Sequence, residues 1–104
     1  MAKATVGLDA VLADSKHYKV EDENERVRIL RAVYGPGEKS QMHAHPATVV
    51  FFVTDGHIRF TFPDGTSQDA QAKAGQAMAM EPTTHNPENL GNLPVEAVIV
   101  ELKN

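Results

Sequence analysis

The sequence predicts an all-β fold, and three observations carry the prediction. Runs rich in β-branched and aromatic residues recur at short spacing: R-V-R-I-L-R-A-V-Y from Arg26 to Tyr34, T-V-V-F-F-V-T from Thr48 to Thr54, and V-E-A-V-I-V-E-L from Val95 to Leu102. Gly and Pro punctuate them, at Gly35-Pro36-Gly37, Asp55-Gly56, Pro63-Asp64-Gly65 and Gly75. Only the stretch from Leu8 to Asp14 suits a helix, and a short one. Several short strands with tight turns between them indicate an antiparallel sandwich or barrel.

The elements follow in order. Glu21-Asp22-Glu23-Asn24-Glu25, with Arg26, Arg28 and Arg31 just beyond, reads as a solvated turn between strands. In the next strand Val27, Ile29 and Val33 share one face, and Arg28, Leu30, Ala32 and Tyr34 the other. Thr48 to Thr54 is apolar almost throughout, as for a strand covered on both sides. Asp55-Gly56 turns the chain into His57 to Phe62, where Ile58, Phe60 and Phe62 alternate with His57, Arg59 and Thr61. Thr66 to Lys73 returns as a polar strand, and Gln76 to Met80 follows Gly75. Pro82 and Pro87 mark an irregular stretch before the last strand.

The chain of 104 residues fits one domain, 1–104, with a single core. It has no cysteine, which excludes disulfides, thiolate metal sites and cysteine nucleophiles. Ten Lys and Arg against fourteen Asp and Glu give a net charge of −4, which argues against nucleic acid and anionic lipid as partners. The start of the chain has no apolar signal-like stretch, and nowhere do about 18 apolar residues run together, so a cytoplasmic protein without membrane contact is expected. There is no phosphate-binding glycine loop and no nucleophile elbow around Ser15, Ser40 or Ser67.

Five histidines in so short a chain ask for a reason. On an extended strand the His43-x-His45 spacing puts two imidazoles on one face, half of a site for a divalent transition metal. His85 is a third candidate, forty residues further on. His57, beside Arg59, and His17, beside Tyr18 in a polar stretch, are expected at the surface.

Gly37-x5-His43-x-His45-x3-Val49-x6-Gly56 resembles the first sequence motif of the cupin family, with Val49 where that motif has glutamate. Gly75, Pro82, His85 and Asn89 resemble the second motif, degenerate in its middle: the distance from Gly75 to His85 is one residue short, and Thr83-Thr84 stands where a second glycine belongs. The resemblance spans Gly37 to Asn89. It implies a small antiparallel double-stranded β-helix, or jelly-roll barrel, with one metal ion held by His43, His45 and His85. It also implies a homodimer, with the arm of residues 1–25 at the interface.

Without the glutamate the ligand set is three neutral imidazoles. They leave open positions for exogenous ligands and disfavour hard ions such as manganese relative to iron, zinc, nickel or copper. Glu81 is a weak substitute carboxylate beside Pro82. Some cupin oxygenases are similar in using three histidines, so a dioxygenase-like enzyme acting on a small polar or anionic molecule is the preferred expectation, with isomerase or lyase chemistry as variants. The alternative is a non-catalytic binding or sensing cupin with weak or no metal. The expected pocket residues are Gln41, Val49, Phe51, Met80 and Tyr34, while the general base is unassigned.

Overall fold

The computed structural model describes residues 7–103. One short helix, α1 (Ala10–Ala13), precedes nine strands: β1 (Tyr18–Glu23), β2 (Val27–Tyr34), β3 (His43–His45), β4 (Thr48–Phe52), β5 (Gly56–Thr61), β6 (Ser67–Ala72), β7 (Ala77–Met80), β8 (Thr83–Asn89) and β9 (Val95–Leu102). Asp9 caps α1, its carboxylate accepting from the Val11 and Leu12 amides. The strands form two antiparallel sheets, ordered β1-β2-β9-β4-β7 and β3-β8-β5-β6. Because β3 and β4, and then β7, β8 and β9, step alternately from one sheet to the other, the sheets wrap a common interior as a jelly-roll barrel.

The alternation expected of β2 and β9 is present. Leu30, Ala32 and Tyr34 face inward opposite Ile99, Ala97 and Val95, and Leu30 is fully buried. Two of the motif glycines have physical reasons. Gly37 sits at φ +73°, a left-handed conformation that disfavours any side chain. A Cβ on Gly56 would meet a Val95 methyl at 2.7 Å, so the β4–β5 turn closes only over a bare backbone.

Four readings of the sequence are corrected. Glu21 to Glu23 belong to β1, an exposed edge strand, and the turn lies at 24–26. β4 is covered on one side only: Thr48, Val50 and Phe52 are buried while Val49 and Phe51 lie on the outside. The stretch around Pro82 and Pro87 is not irregular, since β8 runs straight through Pro87. The Pro87 carbonyl accepts from the Ser40 amide at 2.8 Å, so the ring nitrogen faces that same side and the ladder to β5 loses no donor. His17 is buried, with 6% of its surface exposed.

The described part of the arm ahead of Arg26 packs within its own chain. β1 pairs with β2, and the Ala44 amide donates to the Leu8 carbonyl at 2.6 Å, so the chain at Leu8 and Asp9 lies along the outer edge of β3. Residues 1–6 of the arm lie outside the described residues.

Candidate metal centre

The antiparallel register of β3 and β8 sets His43 directly opposite His85, and His45 follows two residues along the same face. Two imidazoles of β3 and a third forty residues further on therefore meet by strand pairing alone. Their ring centroids are 4.8 Å (His43–His45), 5.0 Å (His43–His85) and 5.4 Å (His45–His85) apart. All three are buried, and one nitrogen from each lies within 4.8 Å of the others. Two nitrogens bonded to one ion at about 2.1 Å are at most about 4.2 Å apart, so small ring rotations close the set.

Hydrogen bonding on the outer side of the rings decides which nitrogen faces inward. Nδ1 of His43 lies 2.7 Å from the Gln41 carbonyl oxygen and 3.0 Å from Ser40 Oγ. Donation to that carbonyl fixes the Nδ1–H tautomer and leaves the lone pair on Nε2, a fully buried atom with no partner. In His45, Nδ1 faces Glu101 Oε2 at 2.7 Å, which likewise orients Nε2 as the acceptor. His85 stacks on Phe60 at 5.1 Å. A buried imidazole nitrogen with an unused lone pair is costly by itself and fits a metal ligand.

Burial, and then repulsion from the neighbouring rings, lowers the His43 imidazole to about 4 and the His85 imidazole to about 3. Both are therefore neutral and able to ligate at neutral pH. Because the unfolded chain binds these protons near pH 6.5, stability is fully present above that value and falls as pH drops toward 4. The metal-free protein is expected to lose on the order of a few kcal/mol between pH 7 and pH 4, read from urea midpoints across that range. A flat profile would contradict the buried neutral imidazoles.

Behind the rings lie two polar networks. Glu101, opposite Thr48 on the β4–β9 ladder, is 3% exposed and also accepts from Arg28 Nε at 2.7 Å. Arg28 in turn holds the helix-capping Asp9. In the second network Ser40 Oγ donates to Asp14 Oδ2 at 2.7 Å. Asp14 meets His17 Nδ1 at 2.7 Å, and His17 Nε2 reaches Glu38 Oε1 at 3.0 Å. His17 stacks flat on Tyr34, with centroids 4.2 Å apart. Burial pulls the Asp14 carboxyl up, but the Ser40 and His17 contacts outweigh it and hold the group below its usual range.

A cavity of about 70 Å³ opens beside His45 and His85, walled by residues that include Tyr18, Tyr34, Val50, Phe52 and Met80. Tyr34 and Met80 line this cavity. Gln41, Val49 and Phe51 do not. The Gln41 side chain is exposed, and the residue serves the site through its carbonyl oxygen. Val49 and Phe51 have the outward parity of β4, at 38% and 44% exposure, so the cavity-facing neighbours are Thr48, Val50 and Phe52. No carboxylate stands on that face of β4. The carboxylate bonded to a ligand-candidate ring, Glu101, comes from β9 and meets His45, while Glu88 of β8 lines the cavity. Glu81 is exposed and outside the histidine cluster. Arg28 and Glu101 carried a signal in the sequence, since each is the one charge among the otherwise uncharged inward-facing positions of its strand.

Comparison with known proteins agrees with this architecture. A profile of the cupin domain matches residues 30–101. The chain is similar to the crystal structure of a cupin domain from Bordetella pertussis Tohama I at 28% identity and a TM-score of 0.77, covering 84% of this chain and 92% of that one. A cupin with a double-stranded β-helix fold from Methanocaldococcus jannaschii superposes with a TM-score of 0.62 at 20% identity, over 84% and 81% of the two chains. Oxalate oxidase bound to the substrate analogue glycolate shares the fold at 16% identity and a TM-score of 0.56, over 75% of this chain and 43% of that one. No curated protein matches the sequence. The matched domain covers more than half of the chain, and the chain belongs to the cupin family.

Proposed function

We propose that the chain is a metal-dependent enzyme in which His43, His45 and His85 hold one divalent transition metal, and that it performs dioxygenase-like oxidation of a small molecule. The observation that carries this reading is the orphaned Nε2 of His43 in a buried cluster of three imidazoles beside a cavity. An ion held by three neutral nitrogens supplies a Lewis-acidic or redox-active centre with positions left for substrate and oxygen. Gln41 and Glu101 hold the ring tautomers, Arg28 balances the Glu101 charge, and the walls around Val50 and Phe52 keep water from the substrate. Isomerase or lyase chemistry uses the same ligand set, and oxygen dependence separates them.

The test uses protein purified without chelator. It should carry about one equivalent of iron, zinc, nickel, manganese or copper by plasma mass spectrometry, and candidate substrates should consume dissolved oxygen. Metal well below one equivalent that His43→Ala leaves unchanged would remove the metalloenzyme reading in favour of a binding module.

We propose in addition that the chain pairs as a homodimer. Exposed Val33, Val49, Phe51 and Leu102 on the outer face of the five-stranded sheet support that reading, because so many large apolar side chains on one face are unusual for a monomer. Light scattering should give twice the chain mass, and a monomeric mass at working concentration contradicts it.

A further inference from the structure

We infer that the substrate has a single oxygen-bearing head and a short hydrocarbon tail, with no second polar or charged group; the inference rests on the metal-centre reading. The cavity is small, at about 70 Å³, which suits a short tail. Its lining contains no Lys or Arg. The nearest guanidinium, Arg28, lies outside it and is engaged by Glu101 and Asp9.

Besides the two histidines the polar residues in the wall are Tyr18, Tyr34, Thr48, Thr83, Glu88 and Asn89, and of these Tyr34 and Asn89 are already occupied. The Tyr34 hydroxyl donates to the Tyr18 hydroxyl at 2.7 Å. Asn89 spends its amide nitrogen on the Tyr34, Gly35 and Leu93 carbonyls, and its oxygen on the Gly91 amide. On the inner face of the large sheet the residues grade from polar to apolar. The Arg28–Glu101–Thr48 row lies behind His45, followed by Leu30–Ile99–Val50 and then Ala32–Ala97–Phe52. A ligand head placed at the histidines therefore sends its tail among Val50, Ile99 and Phe52, whose side chains offer a hydroxyl no partner and an anion no counterion.

A wider cleft of about 410 Å³ shares Phe52, Phe60, Met80, Thr83 and His85 with the cavity. Sugars, phosphorylated compounds and dicarboxylates do not match this lining.

The test compares two neutral ketones of equal size, pentan-2-one and 4-hydroxybutan-2-one, which differ only by a methyl or a hydroxyl at the tail. Each is titrated into isotope-labelled protein, metal-free and zinc-loaded, and followed by amide chemical shifts. Pentan-2-one is expected to bind roughly tenfold or more tightly than its hydroxyl counterpart, with shifts at Val50, Phe52 and Ile99. Val50→Phe, which fills the cavity, should weaken pentan-2-one by at least about tenfold; if that variant does not fold, the matched pair on the natural chain decides alone. Equal affinity, preference for the hydroxyl, no saturable binding of either ketone, or shifts confined to outer residues would overturn the inference. Zinc stoichiometry is measured on the same samples. Failure to take up zinc with the ketone preference intact retires the metal reading alone, and zinc uptake without the preference retires the substrate assignment alone.

Discussion

Arg28→Ala is expected to destabilise the metal-free protein by about 3–5 kcal/mol, the range for a buried ion pair that loses one partner. Glu101 is 3% exposed, and Arg28 meets it through both Nε, at 2.7 Å, and Nη2, at 2.6 Å. Without the guanidinium, a carboxylate remains in the barrel wall with the His45 N–H as its side-chain donor among the described residues. The same side chain holds Asp9, so α1 loosens from the sheet as well. Pairing the change with Glu101→Gln removes the stranded charge and should recover a large part of the loss. Urea denaturation of the two variants measures both effects. A cost under about 1 kcal/mol for Arg28→Ala would mean that water reaches Glu101 and that the network is a surface feature.

His43→Ala is expected to abolish stoichiometric metal binding, dropping the content from about one equivalent to less than about a tenth, because two imidazoles do not make a closed site. The fold should survive, since the lost ring is also the one with a buried nitrogen lacking a partner. Ser40→Ala, which removes one contact to Nδ1 and leaves the Gln41 carbonyl, should lower metal affinity by about 10-fold. Competition with a chelator of known affinity resolves the two. Equal losses would mean that Ser40 acts through folding.

Much of the fold was open to inspection in the chain, because β2, β5 and β9 alternate cleanly and glycine and proline mark the turns. The histidine triad was open too, through its spacing and the glycines around it. What escaped lay in parity and in pairing. β4 is apolar on both faces, so alternation could not tell Val49 from Val50, and only the ladder with β9 sends Val50 inward and Val49 out. β8 looked broken because Pro87 lacks a donor, yet that donor would face the segment before β3, and β5 never needed it. His17 looked like a surface residue in a polar stretch, but its polar neighbours Asp14 and Glu38 are what allow it to be buried. Glu101 was the most consequential omission. It is the carboxylate that the β4 face lacks, delivered from a strand more than fifty residues away in sequence to hold a ligand ring instead of the ion.

The central claim is that His43, His45 and His85 share one metal ion, and crystallographic anomalous scattering at the absorption edge of the bound metal tests it most directly. The account predicts one anomalous peak per chain, about 2.0–2.2 Å from a nitrogen of each of the three rings, with the His43 contact made by Nε2. A peak at any other set of side chains, or none in protein that carries a full equivalent of metal, would contradict it.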